Sequence, residues 1–197
     1  MMSKTIIILF LAFLVSCDTG YKMHLADFAA KQDTDTSYVS SIIRNSKKYK
    51  IDTSVILKNK NLHRLISQID TTKLSSSYKF ANTPGSIKTF LKTISKNDFL
   101  IADTGQHFAA GCTRFGNEPF RQLTYSGFNN NFFLMTYKIG GWGLMEQIII
   151  IKYKDEHIVD FWVGGSDSQL NTKEKILAYL KRQIIIGESR SSNLIYI

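Results

Sequence analysis

The chain is short of the residues that usually announce chemistry. Two cysteines and four histidines in 197 positions leave no disulfide framework and no thiolate zinc cluster to build. His24, His63, His107 and His157 are scattered, with no two at the helical i, i+4 or the strand i, i+2 spacing that brings metal ligands together locally. A G-x-S-x-G nucleophile elbow is missing, and Gly140-Gly141-Trp142-Gly143 has neither the strand-to-helix setting nor the lysine of a phosphate loop. No cofactor or metal is therefore expected. Acidic residues are also scarce, 16 against 25 lysines and arginines, for a net charge of +9. That balance draws a domain towards phosphates, acidic polysaccharides and acidic protein targets.

Long apolar runs are missing too, and this decides the fate of the N-terminus. Lys4 supplies a basic start and Ile6 to Val15 is unbroken hydrocarbon, but such a run is about half the roughly twenty residues needed to span a bilayer. It reads as a secretory signal peptide over residues 1–16. The segment closes on Leu14-Val15-Ser16-Cys17, which resembles the lipobox of bacterial lipoprotein precursors. The resemblance covers the first 17 residues only. It implies that Cys17 is lipidated, that cleavage occurs just before it, and that the mature protein is anchored in an envelope membrane, inner or outer, by acyl chains such as palmitate. Two or three chains make a stable anchor where one does not. Export argues against nucleic acid as the partner of the positive charge. Lys47 and Lys48, with Arg44, Lys50, Lys58, Lys60 and Arg64, form a basic run opposed only by Asp52, suited to an anionic leaflet at about 1 kcal/mol per charge or simply to a solvated helix side.

Residues 17–36 are polar and lack apolar rhythm, as expected of the lipidated cysteine and a tether, and residues 37–197 read as one α+β domain. Periodicity predicts helices near 38–49, near 55–69 with a cap at Asp52 or Ser54, from the Thr83-Pro84-Gly85-Ser86 turn through Ile94, and after an Asn171–Glu174 capping pair with Ile176, Leu177, Leu180 and Ile184 as its stripe. Strands are expected at 99–102, 107–115, 120–125, 132–139, 144–153 and 157–163, with a last short edge at 194–197. Links this short imply an antiparallel meander of about six strands, N-terminal helices, and a C-terminal helix packed on the sheet.

The run Ile148-Ile149-Ile150-Ile151 does not alternate, so its strand should be covered on both faces. A two-residue turn at Asp155-Glu156 would set Ile151 opposite Asp160 and Ile149 opposite Trp162. The second apolar face then meets another helix layer, a partner, or a curled sheet around a pocket for a small apolar ligand. The last is the expectation taken here, with Trp162 in its wall and Asp160 as its polar feature; alternatively Asp160 reaches a sheet edge and meets water or a lysine. Trp142, on a hairpin tip flanked by glycines, has little to bury its ring against and is the expected contact for an envelope protein. Cys112, the one thiol left after lipidation, is expected to be buried. An enzyme reading would use it as nucleophile with His107 as base and Asp103 or Glu118 as orienter, but an odd separation puts His107 and Cys112 on opposite faces of a regular strand. The expected function is thus a non-enzymatic envelope lipoprotein of binding, inhibitor or immunity type, with a thiol or metal-assisted hydrolase as the alternative.

Overall fold

The computed structural model of the chain describes residues 60–95, 98–113, 116–141 and 143–186. Helix α1 runs Leu62–Asp70, and its buried Leu62, Leu65, Ile66 and Ile69 stand at i, i+3, i+4 and i+7. The residue at its start is Asn61, not Asp52 or Ser54, which lie outside the described residues together with the helix expected at 38–49. Asn61 has the chemistry of a cap yet makes no cap hydrogen bond. Its amide instead donates to Asp160 Oδ1 and to the Phe161 carbonyl, both at 2.9 Å, which fixes the helix to the sheet.

Helix α2, Gly85–Ile94, starts at the expected turn, and Pro84, which has no N–H to satisfy, accepts from the Lys88 amide. Ile87, Phe90, Leu91 and Ile94 are buried, as their spacing requires. Helix α3 covers Lys173–Ile186. Its cap is Thr172 rather than Asn171: the Thr172 hydroxyl accepts from the Lys175 amide, while Asn171 Oδ1 accepts from the Lys175 ammonium. Ile176, Leu177 and Leu180 are buried, but Ile184 is 38 % exposed and lies outside the packed stripe.

Six strands form one sheet: β1 Ser75–Ser77, β2 Ile101–Ala102, β3 Arg121–Phe128, β4 Phe132–Ile139, β5 Met145–Lys154 and β6 His157–Ser166. The order is β1-β3-β4-β5-β6, with every neighbouring pair antiparallel. The α+β meander is thus present. β2 departs from it by pairing parallel to Arg121 and Gln122 of β3. A bulge at Leu123/Tyr125 lies between the stretch of β3 that pairs β2 and the stretch that pairs β1. β1 arises from three serines, a stretch where no strand is expected from the sequence, and it is short and polar, as suits an edge. The strand expected at 107–115 is not formed among its described residues. Ala109 and Ala110 instead cross the sheet end as irregular backbone, accepted so closely by Gly140 that a Cβ there would meet the Ala109 carbonyl oxygen at 2.0 Å. The edge expected at 194–197 lies outside the described residues.

Both faces of the sheet are covered by helices. Ile148 to Ile151 are all fully buried. Phe161 packs edge-on against Phe90 of α2, centroids 5.0 Å apart, so α2 covers the face of Phe133, Ile149, Ile151 and Val163. The other face, with Leu134, Ile148, Ile150 and Trp162, lies under α1 and α3. Asp160 and Lys152 of that face bond Asn61 and Gln68 at α1, and Thr136 and Glu146 hold Leu170 just before α3. The second helix layer replaces the curled sheet and pocket expected from the sequence. Each fully buried leucine, isoleucine or phenylalanine contributes about 1.5–3 kcal/mol to this arrangement.

The hairpin register differs from expectation by one residue. Lys154 does pair with His157, through a turn whose Asp155 and Glu156 both take positive φ, 47° and 65°. A bulge then leaves Val159 out of the ladder and 49 % exposed. Every later pair shifts, so Ile151 opposes Phe161 and Ile149 opposes Val163.

Candidate functional site

Asp160 and Trp162, expected beside a ligand pocket, have internal partners. Asp160 is 9 % exposed; besides Asn61 it accepts from Arg64, 2.5 Å away, and from the Phe161 amide. Arg64, the end of the basic run, is half-exposed and serves this clamp. Trp162 is fully buried, its ring lying over Gly164, where a Cβ would come within 2.2 Å of it. Cys17, Lys47, Lys48 and Trp142 lie outside the described residues.

Cys112 is exposed rather than buried, because the backbone around it leaves the sheet. Its thiol donates to the Gly141 carbonyl at 3.4 Å. His107 sits 3.5 Å from Glu118, on the surface, so two members of the hypothetical triad meet while the thiol's recorded partner is backbone. Among the described residues no group of three or more histidine, cysteine, aspartate or glutamate side chains is arranged to hold a metal ion, and no helix is long and apolar enough to cross a membrane.

A well-formed concavity among the described residues lies where α1 ends, β1 edges the sheet and α3 begins. It is a cleft of about 500 Å³ lined by Asp70 to Leu74, Ser76, Tyr78, Tyr125 and Thr172 to Glu174. Its floor follows from one missing side chain. Gly127, on β3 opposite Ser76, has no Cβ, and the Tyr125 phenol lies over it; a Cβ there would stand 2.4 Å from the hydroxyl oxygen. The hydroxyl thereby reaches Ser76 Oγ at 3.3 Å. Burial, with the nearby Glu174 and Tyr78, raises the Tyr125 pKa above its ordinary value, the Ser76 hydrogen bond opposing this, so the phenol keeps its proton and can donate.

The walls are held by other means. Lys173 Nζ donates to the carbonyls of Asp70 and Thr72, satisfying free acceptors at the end of α1, and Lys181 pairs with Asp70 at 2.8 Å. Tyr78 is 51 % exposed, sits edge-to-face with Tyr125, and is fixed through its carbonyl, which accepts from the Thr104 amide. Lys73 and Glu174 stand exposed at the rim, with no side-chain hydrogen bond or ion pair among the described residues. The cleft therefore offers an aromatic ring, several hydroxyls, one ammonium and one carboxylate. Such groups are able to engage a ligand by hydrogen bonding and stacking.

A smaller cleft, about 200 Å³, opens at the far end of the same sheet face beside Lys138, Leu144, Met145, Glu146 and Ser166 to Gln169. Glu146 is 6 % exposed: one oxygen accepts from the Leu170 amide at 3.0 Å, while Oε1 is buried without a hydrogen bond among the described residues. Desolvation raises its pKa, opposed by the Leu170 amide, Thr124, Lys138 and Thr136.

Sequence reasoning missed the larger cleft. Its residues come from three separate segments, and Thr71 to Ser77 carry no apolar pattern that would mark them. No protein-family model, curated protein or solved structure matches the chain.

Proposed function

We propose that the protein is a cell-envelope lipoprotein, anchored through acylated Cys17, whose α+β domain binds a ligand in the cleft at Tyr78 and Tyr125 and transforms none. The observation that carries the anchor is the sequence Leu14-Val15-Ser16-Cys17 closing an apolar run that starts just after a lysine. The observation that supports binding is a cleft whose volume falls in the ~300–1,000 Å³ range of small-ligand sites and whose groups are donors, acceptors and a ring. The net charge favours an anionic surface or an acidic partner over a basic one.

Cys17→Ser tests the anchor. Metabolic labelling with a fatty acid should mark the wild-type chain and leave the variant unlabelled, with the variant unprocessed or released from the membrane fraction. Normal labelling and retention would remove the assignment. Affinity capture from envelope extract tests the binding role, with Trp142→Ala as a parallel bait that separates the hairpin tip from the cleft. Cys112→Ser completes the set: the binding reading expects unchanged capture, whereas a nucleophile would lose its activity.

A further inference from the structure

We infer that the cleft at Tyr78 is a saccharide subsite, a step that rests on the binding role proposed above and names its ligand class. A sugar ring presents a flat face of C–H bonds and a rim of hydroxyls. The cleft presents the complements of both. Tyr78 supplies a half-exposed ring, whose electron-rich face attracts polarised C–H bonds, held in place by the edge-to-face contact with Tyr125 and the backbone bond from Thr104. Around it stand groups of both hydrogen-bonding senses: the Tyr125 phenol, held protonated by burial, Ser76 Oγ, the Glu174 carboxylate and the Lys73 ammonium.

Other ligand classes fit less well. A phosphate group would seek the start of α3, but Glu174 already places a negative charge in that first turn, and Lys173 is engaged by two carbonyls. An acyl chain would find Leu74 as the one aliphatic lining residue among threonines, serine, tyrosines and charges. The cations and carboxylates of the lining balance, so the subsite selects a hydroxyl-rich group rather than a net charge.

The test uses the full chain purified in detergent and an array of immobilised oligosaccharides: neutral hexose chains, N-acetylhexosamine chains and uronic-acid chains. The wild type should bind at least one class. Tyr78→Ala should weaken that binding ~10-fold or more, Tyr78→Trp should retain it, and Glu174→Gln should weaken it several-fold. Unchanged thermal midpoints keep misfolding out of the comparison, since Tyr78 and Glu174 are exposed. Absence of wild-type binding to every class, or equal binding by Tyr78→Ala, overturns the saccharide assignment. If no sugar binds while Tyr78→Ala still diminishes capture from envelope extract, the binding role stands and its ligand is of another class.

Discussion

Glu146 shows how one buried side chain ties stability to pH. Its carboxyl accepts from the Leu170 amide while desolvation raises its pKa above the ordinary value, favouring the neutral form in the folded protein. Below the ordinary carboxylate range both folded and unfolded chains hold this proton. As pH rises from there through the raised value, the unfolded chain releases it first, so this contribution to stability is lost with rising pH. Glu146→Gln keeps an acceptor for Leu170 and cannot titrate. The stability of wild type relative to this variant, from urea melts between about pH 4 and about pH 7, should fall as pH rises; a flat difference would refute it. Backbone strain gives a second residue-scale expectation. Glu156 adopts φ of 65° in the hairpin turn, a region that costs a side-chain-bearing residue about 1 kcal/mol. Glu156→Gly should raise the unfolding free energy measured in urea melts by up to that amount. Gly164→Ala should do the reverse, because its methyl would overlap the Trp162 ring, and a loss of about 1–3 kcal/mol is expected.

Elements are held at their ends as much as by their apolar stripes. α1 is pinned to β6 through Asn61, Arg64 and Asp160, and the three contributions should be unequal. Asp160→Ala removes the common acceptor and leaves the buried Asn61 amide short of a partner, so about 1–3 kcal/mol should be lost. Arg64→Ala should cost less than about 1 kcal/mol, since its guanidinium is half in water. Equal losses in urea melts would show that the ion pair, not the buried amide, does the pinning. The same elements show what could be read from the chain beforehand. The stripes of α1 and α2, the doubly covered isoleucine run and the tight turn at Asp155 were legible, because each rests on spacing within one segment. β1 was not, because three serines have no pattern and take their register from Ser126 to Phe128. Nor was the slip at Val159, since nothing in the alternation of β6 marks the extra residue. The cleft was hidden for a related reason: Tyr125 reaches it only because Gly127, two residues on, is bare.

At the scale of the whole molecule, the sheet is sandwiched between α2 on one side and α1 with α3 on the other, which leaves the strands that are outermost among the described residues to be dealt with separately. β1 is three residues long, but β6 is ten, long enough for a foreign chain to align on it. Two carbonyls of β6 are already taken by side chains from the packed helical layer: Phe161 accepts from Asn61, and Gly165 accepts from the Tyr179 hydroxyl at 3.4 Å. By occupying those carbonyls, Asn61 and Tyr179 are expected to hinder pairing of a foreign strand along β6. The double variant Asn61→Ala, Tyr179→Phe should remain largely folded yet form thioflavin-positive aggregates or dimers on storage at concentrations where the wild type stays monodisperse by light scattering.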